Sequence, residues 1–179
     1  MSETALLVID MFNTYRHRDA AELADSVAGV IEPLSHLIYQ AQARDDVDLI
    51  YVNDNHGDFA ASPRDIVQAA LEGARPDLVR PLVPARGCRF ITKVRHSVFY
   101  ASPLEYLLGR LGTRRVMLCG QVTEQCILYS ALDAYVRHFE VVVPTDTVAA
   151  IDRRLAESAL EMMRRNMSSE LRTSARCFG

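Results

Sequence analysis

The sequence predicts an α/β fold, an open and mainly parallel six-stranded sheet with helices on both faces, built by residues 1–179 as a single domain. Three observations predict it. Short apolar runs of strand length alternate with segments whose apolar residues recur at helical spacing, the pattern of right-handed βαβ units. The first run, Ala5-Leu6-Leu7-Val8-Ile9, is apolar at every position, as a strand buried on both faces must be. A chain of 179 residues can bury roughly 70% of its unfolded surface around one core, and no internal repeat, low-complexity tract or flexible linker divides it.

Taken in order, the first strand closes on Asp10, which places a carboxylate at the carboxyl edge of the sheet. A helix follows over Ala21 to Ala43, with Leu23, Val27, Val30, Leu34, Leu37, Ile38 and Ala41 recurring at helical spacing; Pro33 is expected to kink or split it. Asp48 to Val52 is the second strand and ends in the polar group Asn53-Asp54-Asn55-His56-Gly57-Asp58. Ser62-Pro63 starts a helix that reaches Gly73. A long connection, Ala74 to Arg89, carries three prolines; segments of this kind often border a site. Phe90-Ile91-Thr92 is a short strand with Lys93 at its end. Ser102-Pro103-Leu104-Glu105 reads as a capping box, and Gly112 stops the helix it opens. The strand Val116 to Cys119 leads through Gly120-Gln121-Val122 into a helix over Thr123 to Arg137. A strand at Glu140 to Val143, a loop at Pro144 to Thr147, a helix over about Asp152 to Met167 and a sixth strand within Leu171 to Cys177 complete the chain.

Composition excludes several roles. Four widely spaced cysteines without a CxxC pair point to reduced thiols and a cytoplasmic setting. The start, Met1-Ser2-Glu3-Thr4, has no basic region and suggests no signal peptide. No apolar run approaches 18 residues, so no membrane span is expected. A net charge of −3 with scattered arginines leaves no footprint for nucleic acid. Of the twenty basic residues only Lys93 is a lysine. In a chain biased to arginine, an amine is either retained by chance or required at 93, because ammonium and guanidinium are not interchangeable at a tight site.

In an open α/β sheet, ligands bind beyond the carboxyl ends of the strands. Asp10, the Asp54/His56 group, Lys93 and Cys126 all fall there. With Thr123 as N-cap, Cys126 lies in the first helical turn, where free N–H groups and the helix dipole favour a thiolate and draw the thiol pKa towards neutrality. A packed, inert cysteine is the competing reading. The first strand is followed by Met11-Phe12-Asn13-Thr14, without the glycine pattern of a nucleotide site.

Three motifs in register resemble the isochorismatase-like cysteine hydrolases, a group that includes nicotinamidases, carbamoylsarcosine amidase-type enzymes and ureidoacrylate-type amidohydrolases: Val8-Ile9-Asp10-Met11-x-Asn13, Lys93-x-Arg95-x-Ser97-x-Phe99, and Gly120-x-x-Thr123-Glu124-x-Cys126. The resemblance covers nearly the whole chain. It implies strand order 3-2-1-4-5-6, a triad of Asp10, Lys93 and Cys126, a cis peptide between Gln121 and Val122, and an oxyanion hole from the backbone N–H groups of Val122 and Cys126. It also implies a homo-oligomer, dimer or tetramer, acting on a small-molecule substrate. In the implied reaction Asp10 takes the thiol proton, Cys126 attacks a carbonyl carbon to form a thioester, the proton passes to the leaving amine, and the Asp10 carboxylate activates water. A catalytically silent relative that binds a small ligand or a partner protein is the alternative.

Some positions depart from the family. Phe12, Thr14 and Tyr15 stand where many members have Gln, Asp and Phe. Asp54-x-His56 matches the metal-binding pair of nicotinamidase-like members, but no second His occurs between Gly57 and Arg95, so no metal and no cofactor is expected. Asx-turns are the simpler role for that loop. Phe12 and Phe99 adjoin motif residues and are candidates for the substrate pocket. His96 admits a rival Cys–His pair, with Asp146 orienting the imidazole.

Overall fold

The computed structural model describes residues 3–178; Met1 and Ser2, on which the expectation of no signal peptide partly rests, and Gly179 lie outside the described residues. Strands β1 (Thr4–Ile9), β2 (Val47–Asp54), β3 (Arg89–Lys93), β4 (Arg115–Gln121), β5 (Glu140–Pro144) and β7 (Glu170–Arg172) form one sheet in the order β3-β2-β1-β4-β5-β7. Every pairing among them is parallel. The expected order therefore holds, with one addition. The two-residue strand β6 (Val148–Ala149), in a stretch that the sequence assigns to no element, pairs with the end of β4 at Gly120 and Gln121. The last strand is also shorter than expected and gives way to a 3-10 turn at Ser174–Arg176.

Strand alternation sorts β1 between two cores. Leu6 and Val8 pack on one face with Leu23, Val27, Leu34 and Leu37 of helix α1 (Ala20–Gln42). Ala5, Leu7 and Ile9 pack on the other with Leu104 and Leu108 of α4 (Leu104–Leu111), Ala131 and Ala134 of α5 (Leu128–Val136), and Ala159 and Met163 of α6 (Arg153–Asn166). A strand covered on both sides has no use for polar residues, which is why its run is unbroken.

Helix α1 is not split. It keeps Pro33 inside and buries seven side chains, an apolar stripe that outweighs a cost of about 3 kcal/mol for an interior proline. Helix α2 (Pro63–Leu71) has the expected start, a reciprocal capping box between Ser62 and Asp65. The connection after it holds the short helix α3 (Pro76–Val79) and a 3-10 turn. The box expected before α4 does not form: Pro103 occupies the cap position, and the Ser102 hydroxyl donates to the Val98 carbonyl. Gly112 ends α4 in the left-handed conformation, as expected.

Candidate active site

Three strand ends supply the reactive groups. Asp10 follows β1 with φ 54°, a conformation uncommon for a side-chain-bearing residue, and is fixed by the neighbouring strand: its N–H donates to Val52 O (2.9 Å) and its Oδ1 accepts from the Asp54 N–H (2.8 Å). Lys93, the last residue of β3, is 1% exposed. Its Nζ lies 2.8 Å from Asp10 Oδ2, 3.0 Å from Arg95 O, 3.5 Å from Asp54 Oδ2 and 3.7 Å from Cys126 Sγ. Burial opposes the charge on this amine, but the negative groups around it, Asp10 foremost, prevail and hold its pKa above the ordinary value. The triad that the resemblance implied is thus assembled around one ammonium.

The turn that carries Cys126 depends on a glycine. Gly120 has φ 113°, and a Cβ there would lie 2.1 Å from the Ile9 carbonyl oxygen, so only a residue without a side chain lets β4 run this close to β1. The peptide from Gln121 to Val122 is cis, as implied. The helix after it differs from expectation. Residues Thr123–Ile127 form a wide turn, with Ile127 N–H donating to Val122 O (3.1 Å), before α5 begins. Thr123 does not cap it. Its hydroxyl donates to Ala149 O (2.9 Å), while Glu124 Oε1 accepts from the N–H groups of Ile151 and Asp152. The Thr-Glu pair of the motif thereby fastens β6 and the segment after it to the turn that carries Cys126.

Cys126 is buried, and burial together with the hydrogen-bonded Asp10 carboxylate pushes its thiol pKa up; Lys93 and the Val122 N–H oppose the shift but do not cancel it. The sulfur is thereby biased towards the thiol, opposite to the direction expected from a helix start. Its proton lies beside a carboxylate, and the same Val122 N–H that stabilises negative sulfur is one of the two expected oxyanion donors.

A cavity of about 260 Å³ opens over Asp10, Lys93 and Cys126, with Asn13, His17 and Gln125 adding polar lining. A second cavity of about 520 Å³ adjoins it at Asp54 and His56 and is walled by Phe59, Arg95, His96 and Tyr100. Phe99 lies in neither: its ring stacks on Phe139 (5.9 Å) beneath Arg137, in the core. Phe12 is likewise a core side chain, stacked on Phe90 (5.7 Å), although it borders a third cavity beside Asn13 and His56. Gln121 was not singled out as a side chain, yet its amide donates to Asp10 O and accepts from the Tyr15 hydroxyl.

The Asp54/His56 pair does not fit a metal. Asp54 Oδ1 accepts from the His56 N–H, its Oδ2 faces the Lys93 ammonium at 3.5 Å, and no group of three or more His, Cys, Asp or Glu suited to a metal exists among the described residues. Successive Asx-turns hold this loop: His56 N–H to Asp54, Gly57 N–H to Asn55 and Ala60 N–H to Asp58. The rival role for Asp146 is also removed, since both its oxygens accept from Ser174. His96, in contrast, places Nδ1 3.8 Å from Cys126 Sγ.

Comparison with known proteins matches residues 4–176 to the model of the Isochorismatase domain family. YaaI, an uncharacterized isochorismatase family protein of Bacillus subtilis (strain 168), is 28% identical over 172 residues, which cover 96% of this chain and 94% of that one. The crystal structure of N-carbamoylsarcosine amidase from Thermoplasma acidophilum is similar with a TM-score of 0.76 at 25% identity, covering 100% of both chains. A nicotinamidase from Staphylococcus aureus shares the fold, with a TM-score of 0.69 at 22% identity over 96% of this chain and 99% of that one.

Proposed function

This chain belongs to the isochorismatase family of hydrolases, and from that premise we propose that it cleaves an amide-type C–N bond of a small carboxamide or ureido compound through a thioester on Cys126. The observation that carries the reading is the single ammonium of Lys93, 2.8 Å from Asp10 and 3.7 Å from Cys126, at one edge of the sheet. The similarity to an N-carbamoylsarcosine amidase supports the choice of bond.

Asp10 takes the proton of the neutral thiol as sulfur attacks the carbonyl carbon. Lys93 keeps the carboxylate in place and stabilises the charge developing on sulfur. The carbonyl oxygen turns towards the N–H groups of Val122 and Cys126; loss of one such donor typically costs about 100- to 1000-fold in rate. Asp10 then returns its proton to the leaving nitrogen, which departs as ammonia or an amine. Water releases the acid and restores the thiol. The cavity of about 260 Å³ suits a small reacting group. Four free cysteines support the cytoplasmic setting expected for the protein.

Ammonia release from a panel of small amides and ureido compounds tests the reading. The wild type hydrolyses at least one of them, and Cys126→Ala abolishes that turnover; an Ala variant as active as the wild type removes the thioester mechanism.

A further inference from the structure

Hydrolysis of a thioester needs a base beside the water that attacks it, and the position of Asp10 serves the first half of the reaction better than the second. Its side chain is only 13% exposed, with Oδ1 accepting from Asp54 N–H and Oδ2 paired with Lys93. His96 has the reverse character. The residue is exposed, its Nδ1 stands 3.8 Å from Cys126 Sγ, and its ring is tilted at 52° to that of Tyr129, 5.5 Å between centroids. It also walls the 520 Å³ cavity, so the side chain that meets the sulfur faces open space as well. Asp146, the carboxylate considered as its partner, is taken by Ser174. An imidazole nitrogen this close to the sulfur is within one water's reach of the carbon that bonds to that sulfur.

We propose that His96 is a second catalytic base, which deprotonates the water that hydrolyses the acyl-enzyme. The assignment rests on the thioester mechanism and divides it between two bases. Asp10 shuttles the thiol proton to the leaving nitrogen during acylation. In deacylation the neutral imidazole of His96 takes a proton from water as oxygen bonds to the acyl carbon. The tetrahedral intermediate then collapses, the C–S bond breaks with its electron pair going to sulfur beside Lys93, and the imidazolium returns the proton to the sulfur. The acid is released and the thiol restored, with no change in oxidation state.

The small ester 4-nitrophenyl acetate separates the two halves without knowledge of the natural substrate. Wild-type protein gives a rapid release of about one equivalent of 4-nitrophenolate, absent from Cys126→Ala, followed by slower turnover. His96→Gln and His96→Asn keep that burst, but deacylation slows by about 100-fold, the scale of general-base catalysis. Their acetyl-enzyme accumulates in intact-mass spectra, and imidazole added to the buffer restores part of the lost rate. Wild-type deacylation in both variants, or equal slowing of burst and turnover, overturns the role of His96 while leaving Cys126 as nucleophile. A wild type without a Cys126-dependent burst overturns the thioester mechanism, and this assignment with it.

Discussion

At the scale of single residues, Lys93 is held by several partners at once. One compact ammonium serves Asp10, Asp54, Arg95 O and Cys126 from a position 1% exposed. A guanidinium spreads its charge over a rigid planar fork and cannot occupy that point. Lys93→Arg is therefore expected to lower kcat/KM by about 100-fold, equivalent to about 2.7 kcal/mol of transition-state stabilisation; near-wild-type kinetics would show that only the charge matters. Lys93→Met leaves Asp10 buried without its partner, and loss of one member of a buried pair costs about 3–5 kcal/mol, read as a fall in thermal stability. The survival of a lone lysine among arginines thus has a physical explanation. Gln121 shows the opposite case. Its bonds to Asp10 O and the Tyr15 hydroxyl join residues more than 100 positions apart in sequence, and nothing in the local pattern marks an uncharged amide for such work.

At the scale of elements, the contact between β1 and β4 sets the spacing of the site. Gly120 pairs with Ile9 in register, and its backbone lies where any Cβ would strike the Ile9 carbonyl. Gly120→Ala should destabilise the fold by about 3 kcal/mol or more, lowering the melting temperature by roughly 10 °C, because neither the positive φ nor the backbone obstacle can relax cheaply. Gly29 in α1 is the internal control. It lies mid-helix, nothing stands within 4 Å of its added Cβ, and Gly29→Ala should stabilise by about 0.5–1 kcal/mol. Calorimetry of the two variants gives shifts of opposite sign if the close approach, and not glycine itself, is what matters.

At the scale of the whole molecule, several buried groups hold their protons more tightly than the unfolded chain does. Burial raises Tyr15 to about 12 and Cys177 to about 11, and also pushes up Tyr51, Cys119 and Cys126. Once the pH passes the ordinary values, near 8.5 for thiols and 10 for phenols, the unfolded chain releases protons that the native protein keeps, and stability falls with further increase in pH. For Tyr15 alone the loss approaches about 2–3 kcal/mol by the time the pH reaches its folded value. Melting temperature should be insensitive to these groups below pH 8 and decline above it. Tyr15→Phe should flatten the part of the decline above pH 10; an unchanged slope would mean that the phenol already ionises freely in the fold.

The parallel sheet was legible because strands buried on both faces leave apolar runs, whereas its strand order came from the resemblance of the three motifs; Asp10, Lys93 and Cys126 were legible because each lies at or just beyond the end of a strand segment and within a motif. Strand β6 was not, since two residues carry no period. The wide turn at Thr123–Ile127 was not, because its hydrogen bonds, not its composition, set it apart from an ordinary helix start. Phe99 was misjudged as pocket lining because adjacency in sequence to motif residues says nothing about which face a side chain takes, and its ring turns to Phe139. The shift of the Cys126 thiol runs opposite to the one expected because burial depends on the whole fold, whereas a helix start is a local feature.

The loop from Asn55 to Ser62 borders the 520 Å³ cavity; its turns are closed by bonds within its own span and to adjoining Asp54, while Asn55 N–H donates to Lys93 O (2.9 Å), His56 reaches Phe12 O and Ser62 caps α2 through Asp65. Asp10, Lys93 and Cys126 sit just beneath it, at or after the carboxyl ends of β1, β3 and β4. Because Asn55 hangs from the Lys93 carbonyl and His56 lines both cavities, a change in this loop is felt at the ammonium as well as in the outer wall.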